Sequence, residues 1–224
     1  MQQTDDLTSV LIRCIISAPK SRKERHEVKD SLSILRTLAS KNGIIHAKDA
    51  AGHGITRAVL HFHAKQGNIE RVGHGLYMFS DGILDDQLAL SLVSGNIVFS
   101  HETALFLNGL SDRTPFVHSV TIPRNKYLSA KTRQSVECHY VAPELHSVGK
   151  TSKNTTFGNP VPCYDPERTI CDIIRGRRRM DEETFISGIV NYSKSKTKNL
   201  VMLMEYARAF GIAEAVKRQM EGLI

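Results

Sequence analysis

The sequence predicts a mixed α/β (α+β) protein: an N-terminal winged helix-turn-helix, then a larger mixed α/β domain that ends in helices. Three observations carry this. Between residues 31 and 79, three helix-patterned segments precede a hairpin bracketed by glycines, and the last two are joined by a tight glycine-containing turn. Between residues 97 and 164, short apolar runs of strand length alternate with helical stretches. From Asp165-Pro166 onward the periodicity is helical. The chain has 224 residues, 41% apolar and 24% charged, which is ordinary for a globular protein and unlike a disordered one. We place boundaries at 1–29 (an N-terminal tail or helix), 30–80 (winged helix-turn-helix) and 81–224 (C-terminal domain).

The elements follow in order. Residues 7–18 are partly apolar, interrupted by Arg13 and preceded by acids, which fits a short amphipathic helix or ordered tail and not a signal peptide. Residues 19–29 (PKSRKERHEVK) read as a linker or a solvated helix. Residues 31–41 place Leu32, Leu35, Leu38 and Ala39 on one helical face, and Asn42-Gly43 ends the helix. Ile44-Ile45 forms a short strand, and residues 47–51 a short helix closed by Gly52-His53-Gly54. The next helix spans residues 56–66, capped by Thr56 and ended by Gly67, and the hairpin turns around Gly73-His74-Gly75. Beyond residue 82, helices are expected at 84–94 and at 100–108, with strands at 97–99, 117–122, 136–141 and within 157–164. Asp165 as N-cap with Pro166 in the first turn opens a final helical block, continued at 181–192, 199–210 and 212–221.

Charge gives the first functional constraint. The net charge is +7, which favours a polyanionic partner. Between residues 31 and 80, six Lys/Arg stand against two acids, with five of the ten histidines. The 56–66 helix has two burial registers, one hiding Ile55, Ala58, Val59 and Phe62, the other Ile55, Val59, Leu60 and His63. Both leave Arg57 and His61 outside, and the second also frees Lys65. In a helix-turn-helix the first turns of the second helix enter the major groove, where a guanidinium grips guanine O6 and N7. Thr56 and the free N–H groups at the helix start suit a phosphate. Arg71 lies on the strand approaching the hairpin tip, and His74 is at the tip. The DNA-facing set is therefore Lys48, Thr56, Arg57, His61, Lys65, Arg71 and His74.

Other chemistries are weaker. His101-Glu102 begins like a zinc-protease helix, but Leu105 stands where the second histidine belongs. His61 and His63 diverge on a helix and cannot share a metal. Cys138-His139 face opposite sides of a strand. Cys14, Cys138, Cys163 and Cys171 form no C-x-x-C pair, as in a reduced cytoplasm. No metal, cofactor or membrane span is expected, and no catalytic residue is assigned. The densest basic run is Arg175, Arg177, Arg178 and Arg179, a second basic patch that suits either a helix C-terminus or a phosphate. Arg168 and Asp172 are placed to pair along the surface of the preceding helix.

Several segments resemble one family. FSHETALFLNGLSDRTP (99–115), TFGNPVPCYDPERTICDIIRGRRRMD (156–181) and KNLVMLMEYARAFGI (198–212) look like the AbiEi antitoxins, and IERVGHGLYMF ends a stretch similar to their winged-helix half. The resemblance implies a cytoplasmic antitoxin of a type IV toxin–antitoxin system, linked to abortive phage infection. It implies that the winged helix binds inverted repeats in double-stranded operator DNA and represses its own operon, with self-association on DNA. It also implies that the C-terminal domain opposes a nucleotidyltransferase toxin without a stable complex. Where relatives often carry leucine in the recognition helix this chain has His63, and where the wing tip is often arginine it has His74. The alternative is a nuclease-like, nucleic-acid-processing enzyme whose winged helix delivers substrate.

Overall fold

In the N-terminal part, each helix ends where a glycine takes the left-handed backbone its neighbours resist. The computed structural model describes the backbone of residues 22–221 and 223, and side chains from residue 30 on. The expected helix at 7–18 and Cys14 lie outside the described residues. The chain divides after Leu84 into two compact units. Helix α1 (Arg22–Ala39) begins well before the expected start, running through most of the charged segment read as linker or solvated helix. It stops at Gly43 (φ +78°), whose N–H donates to the Ala39 carbonyl at 2.8 Å. Strand β1 (Ile45–His46) and helix α2 (Ala47–Gly52) follow. Then come helix α3 (Arg57–Lys65) and strands β2 (Ile69–Gly73) and β3 (Leu76–Phe79).

The three strands form an antiparallel sheet in the order β1-β3-β2, with Ile45 opposite Tyr77 and Ile69 opposite Phe79. Leu35, Ile45, Ala50, Ile55, Leu60, Ile69 and Phe79 make the core of this unit. Burying each large aliphatic side chain stabilises it by about 1.5–3 kcal/mol. The order of helices, turn and hairpin is the expected winged helix-turn-helix.

The second unit is built on a mixed five-stranded sheet. Its elements are α4 (Asp86–Val93), β4 (Val98–Phe99), α5 (His101–Leu107), β5 (His118–Pro123), α6 (Ala130–Gln134), β6 (Val136–Val141) and α7 (Pro143–His146). After them come β7 (Lys150–Asn154), β8 (Pro160–Tyr164), α8 (Pro166–Gly176), a 3-10 turn at Arg177–Arg179, α9 (Glu182–Lys194), α10 (Leu200–Ala209) and α11 (Ala213–Met220). The strand order is β6-β5-β4-β8-β7. Pairs β4–β8 and β5–β6 are parallel, and β4–β5 and β7–β8 antiparallel. Strand β7 precedes the segment where another strand was expected: residues 157–159 lie in the turn between β7 and β8. Lys150–Asn154 is a mostly exposed edge strand of polar residues, so no apolar alternation announced it.

Helix α8 is the hub of this unit, packing on α5, α9, α10 and α11. Ile170, Cys171 and Ile173 join Leu105, Phe185, Tyr192, Leu203 and Val216 in the core. Its polar residues are equally enclosed. Asp165 caps the helix through the Arg168 N–H at 2.8 Å and accepts the Tyr206 hydroxyl at 3.0 Å. Glu167 accepts from the Tyr192 hydroxyl (3.1 Å) and the Asn199 N–H (2.8 Å).

The Arg168–Asp172 pair was expected on the helix surface, and the structure corrects this. Arg168 is fully buried. Its Nε donates to both Asp172 oxygens at 3.1 Å, and its Nη1 to the Leu145 and Val148 carbonyls at 2.8 and 2.7 Å. The guanidinium lies between the rings of Tyr164 and Phe210, at 4.0 and 4.2 Å. Gly149 (φ +70°) crosses so close that a Cβ there would meet the Arg168 Cβ at 2.5 Å. The sequence placed the pair outside because i, i+4 spacing says nothing about which face is covered.

Candidate nucleic-acid interface

Helix α3 is fixed at both ends by its own sequence. Thr56 is the N-cap, its hydroxyl oxygen accepting from the Val59 N–H at 3.4 Å, and Gly67 (φ +73°) turns the chain out. Of the two burial registers, the structure adopts the second: Ile55, Leu60 and His63 are buried, and Ala58 is exposed. That choice leaves Arg57, His61 and Lys65 exposed at successive four-residue steps, one stripe along the outer side of the helix. No carboxylate lies within ion-pairing distance of Arg57, Lys48 or Lys65 among the described residues.

His63 does not join that stripe. It is fully buried, its Nε2 2.8 Å from the Ser31 hydroxyl of α1 and its Nδ1 3.4 Å from the Asn68 amide. Burial lowers its pKa, so the ring sits neutral in the core. The imidazole therefore acts as a hydrogen-bonded core residue.

The wing also departs in one detail from the expected glycine-bracketed turn. Only Gly75 has a positive φ (+68°), while Gly73 ends β2 after an irregularity in the ladder. The Gly75 carbonyl accepts from the Ala47 N–H at 2.8 Å, so the turn is tied to the first residue of α2. His74 is exposed at the tip. Arg71 is exposed too, its Nε donating to the Gly73 carbonyl at 3.1 Å, which stiffens the side chain beside the turn. Lys48 is exposed on α2.

With this geometry in place, comparison with known proteins becomes informative. Residues 33–80 match the family model described as transcriptional regulator, AbiEi antitoxin. The match lies within the winged-helix unit. No curated protein gives a significant sequence match. Among solved structures, the chain is similar to the RV2827C protein from Mycobacterium tuberculosis, with a TM-score of 0.58 and 12% identity. That alignment covers 85% of this chain and 78% of that one. At this identity the likeness concerns the fold. The exposed positions of the AbiEi segment include the sequence-predicted set Lys48, Thr56, Arg57, His61, Lys65, Arg71 and His74.

The second arginine cluster lies in the C-terminal unit. Arg175 sits in the last turn of α8, as expected from the helix dipole, and Arg177–Arg179 form the 3-10 turn beyond it. Arg177 pairs with Glu182 at 3.1 Å and stacks over Phe185 at 4.4 Å. Arg175 lies 3.7 Å from Asp172 and over Phe210 at 4.8 Å. The sequence reading missed what faces this run. His101 and His139 stack there with ring centroids 3.5 Å apart and planes 14° from parallel. The strand registers bring them together: Thr121 pairs with Val98 on one side and with His139 on the other, and Ser100 follows β4 at Thr121's hydroxyl. Burial lowers both histidines, His101 well below its usual value, with the charges of His139, Arg168, Arg175 and Arg179 adding to it.

Cys138, next to His139, has its thiol pushed up by burial, the opposite of an activated nucleophile. Among the described residues no group of three His, Cys, Asp or Glu side chains converges as a metal site, and no helix is long and apolar enough to cross a membrane.

Proposed function

We propose that this protein is an autoregulating antitoxin of a type IV toxin–antitoxin pair, binding inverted repeats in its own operator through α3 and the wing. The observation that carries the reading is the unneutralised stripe Arg57, His61 and Lys65 on the outer side of a capped helix of AbiEi type. Arg57, in the first turn, takes the base-edge or phosphate anchor. Thr56 and the helix N-terminus take a phosphate. Lys48, Arg71 and His74 flank the duplex backbone, and copies of the chain assemble on the two repeat halves. The C-terminal unit opposes a nucleotidyltransferase toxin without forming a stable complex with it.

The test is a mobility-shift titration with the DNA upstream of the gene. Arg57→Ala weakens binding about tenfold or more, in line with the roughly 1–3 kcal/mol of a bidentate base contact, and leaves toxin neutralisation intact. Unchanged affinity in that variant removes Arg57 as an anchor. Loss of neutralisation together with DNA binding breaks the proposed division of labour.

A further inference from the structure

A concave groove of about 790 Å³ opens on the C-terminal unit beside the edge strand β6, within the size range of small-molecule sites. We propose that this groove binds a compact oligophosphate, the class of inorganic pyrophosphate and of nucleoside di- and triphosphates, between Arg124, Arg175, Arg178 and Arg179 and the stacked pair His101 and His139.

Charge is the first argument. Arginines enter the groove from two directions: Arg124 from the end of β5, the others from the end of α8 and the 3-10 turn. No carboxylate is within ion-pairing distance of Arg124, Arg178 or Arg179 among the described residues. The acid that lines the groove, Asp172, is shared between buried Arg168 at 3.1 Å and Arg175 at 3.7 Å, which leaves Arg124, Arg178 and Arg179 without a carboxylate partner among the described residues. Like charges that outnumber their counter-charges repel one another, and a bound anion removes that cost. Guanidinium is also the side chain whose paired N–H groups match phosphate oxygens.

The second argument is how the histidine wall is built. His101 holds a left-handed backbone (φ +47°), the one non-glycine residue to do so among the described residues. Such strain persists only where the surroundings impose it. They do so here: the Thr121 hydroxyl donates to Ser100 Oγ at 2.8 Å, and Ser100 Oγ lies 3.0 Å from His101 Nδ1. Ser100 thus ties the ring through Nδ1 and leaves its Nε2 edge turned to the arginine run. Gly176 opens the arginine run against this ring, and a Cβ there would stand 3.1 Å from His101 Cδ2 and 3.3 Å from Nε2. Glycine thus lets the backbone carrying the arginines approach the Nε2 edge of the imidazole. Burial lowers the pKa of both rings, against the pull of Glu137 at 3.5 Å from His139 Nε2, so the histidine wall adds little to the repulsion of the cationic groove.

Shape distinguishes the ligand class. A nucleic-acid strand spreads its charge along its length, about one per 3.4 Å of strand axis, and is met by a ridge or stripe of cations such as that on α3. Here the guanidinium groups converge on one concavity, which suits several negative charges within one small molecule.

The experiment titrates the full-length chain with inorganic pyrophosphate by calorimetry, with ATP as competitor and sulfate as control. Pyrophosphate is expected to bind, to be displaced by ATP and to exceed sulfate in affinity. Arg178→Ala/Arg179→Ala, which breaks no ion pair, is expected to weaken pyrophosphate about tenfold or more, a loss of about 1.4 kcal/mol, with an unchanged melting curve. Arg57→Ala, in the other unit, is expected to bind pyrophosphate as the native protein does, so failure of operator binding and failure of this site are read separately. No heat and no thermal shift with pyrophosphate overturns the proposal. So does equal binding of sulfate, an unaffected double variant, or binding confined to single-stranded oligonucleotides irrespective of a terminal phosphate.

Discussion

At the scale of single residues, His63 and Arg57 show how one helix divides its work. Arg57 faces outward because Leu60 and His63 face inward, and the polar ring is accepted in the core because Ser31 and Asn68 meet its two nitrogens. This has a consequence for pH. The folded pKa of His63 lies below the ordinary 6.5, so the unfolded chain takes up the proton first as pH falls. Stability from this group is full above 6.5 and is lost from there downward until the folded pKa is passed. His63→Leu is therefore expected to reduce the acid sensitivity of the winged-helix unit. Urea midpoints at pH 7.5 and 5.5, followed by hydrogen exchange of residues 55–80, check this. An equal drop in native and variant proteins contradicts it.

At the scale of elements, helix α8 shows why a surface pattern can be a buried one. The segment Asp165 to Asp172 looks like a solvated, charged helix start, yet Glu167, Arg168 and Asp172 are all buried. Each carries partners supplied by other elements: Tyr192 and the Asn199 N–H for Glu167, and the carbonyls of the β6–β7 connection for Arg168. Burial pushes the Asp172 carboxyl upward, and Arg168 and Arg175 pull it back. Removing one partner of such a pair strands a buried charge, at about 3–5 kcal/mol, while replacing both with apolar side chains costs much less. Arg168→Met is thus expected to destabilise the C-terminal unit more than Arg168→Met/Asp172→Leu does. Thermal unfolding of the two variants decides it, and a double variant worse than the single one would show that Asp172 is not stranded without Arg168, its charge being met by Arg175 at 3.7 Å. The same distinction explains the strand missed by sequence. β7 is held by backbone pairing to β8 and buries almost nothing, so periodicity had no signal to report there.

At the scale of the whole molecule, a net charge of +7 is accompanied, among the described residues, by two kinds of basic surface, a stripe on α3 and a concave groove near Arg178. Operator binding through Lys48, Arg57, Lys65 and Arg71 is expected to fall steeply with salt, since each neutralised phosphate contributes a slope of about −0.9 to log K against log salt. Arg57→Ala is expected to reduce that slope by about one phosphate's worth, which fluorescence anisotropy between low and moderate salt measures. A flat salt response would mean that the stripe does not face a duplex.

Sequence by itself determined the mixed class, the winged-helix order, the caps at Thr56 and Asp165, and the exposure of Arg57 and His61. All of these rest on local chemistry: a hydroxyl or carboxylate reaching the next turn, a glycine at positive φ, and apolar spacing along a single helix. Tertiary structure alone decided the rest. It chose between the two registers of α3, because the partner of His63 comes from α1. It turned the Arg168–Asp172 pair inward, because α10, the β6–β7 connection and Gly149 close over it. It also set His101 on His139 against the arginine run, because that contact depends on the pairing of β4, β5 and β6. Contacts between residues far apart in the chain leave no periodic trace in either segment, and these groups acquire partners only when the sheet forms.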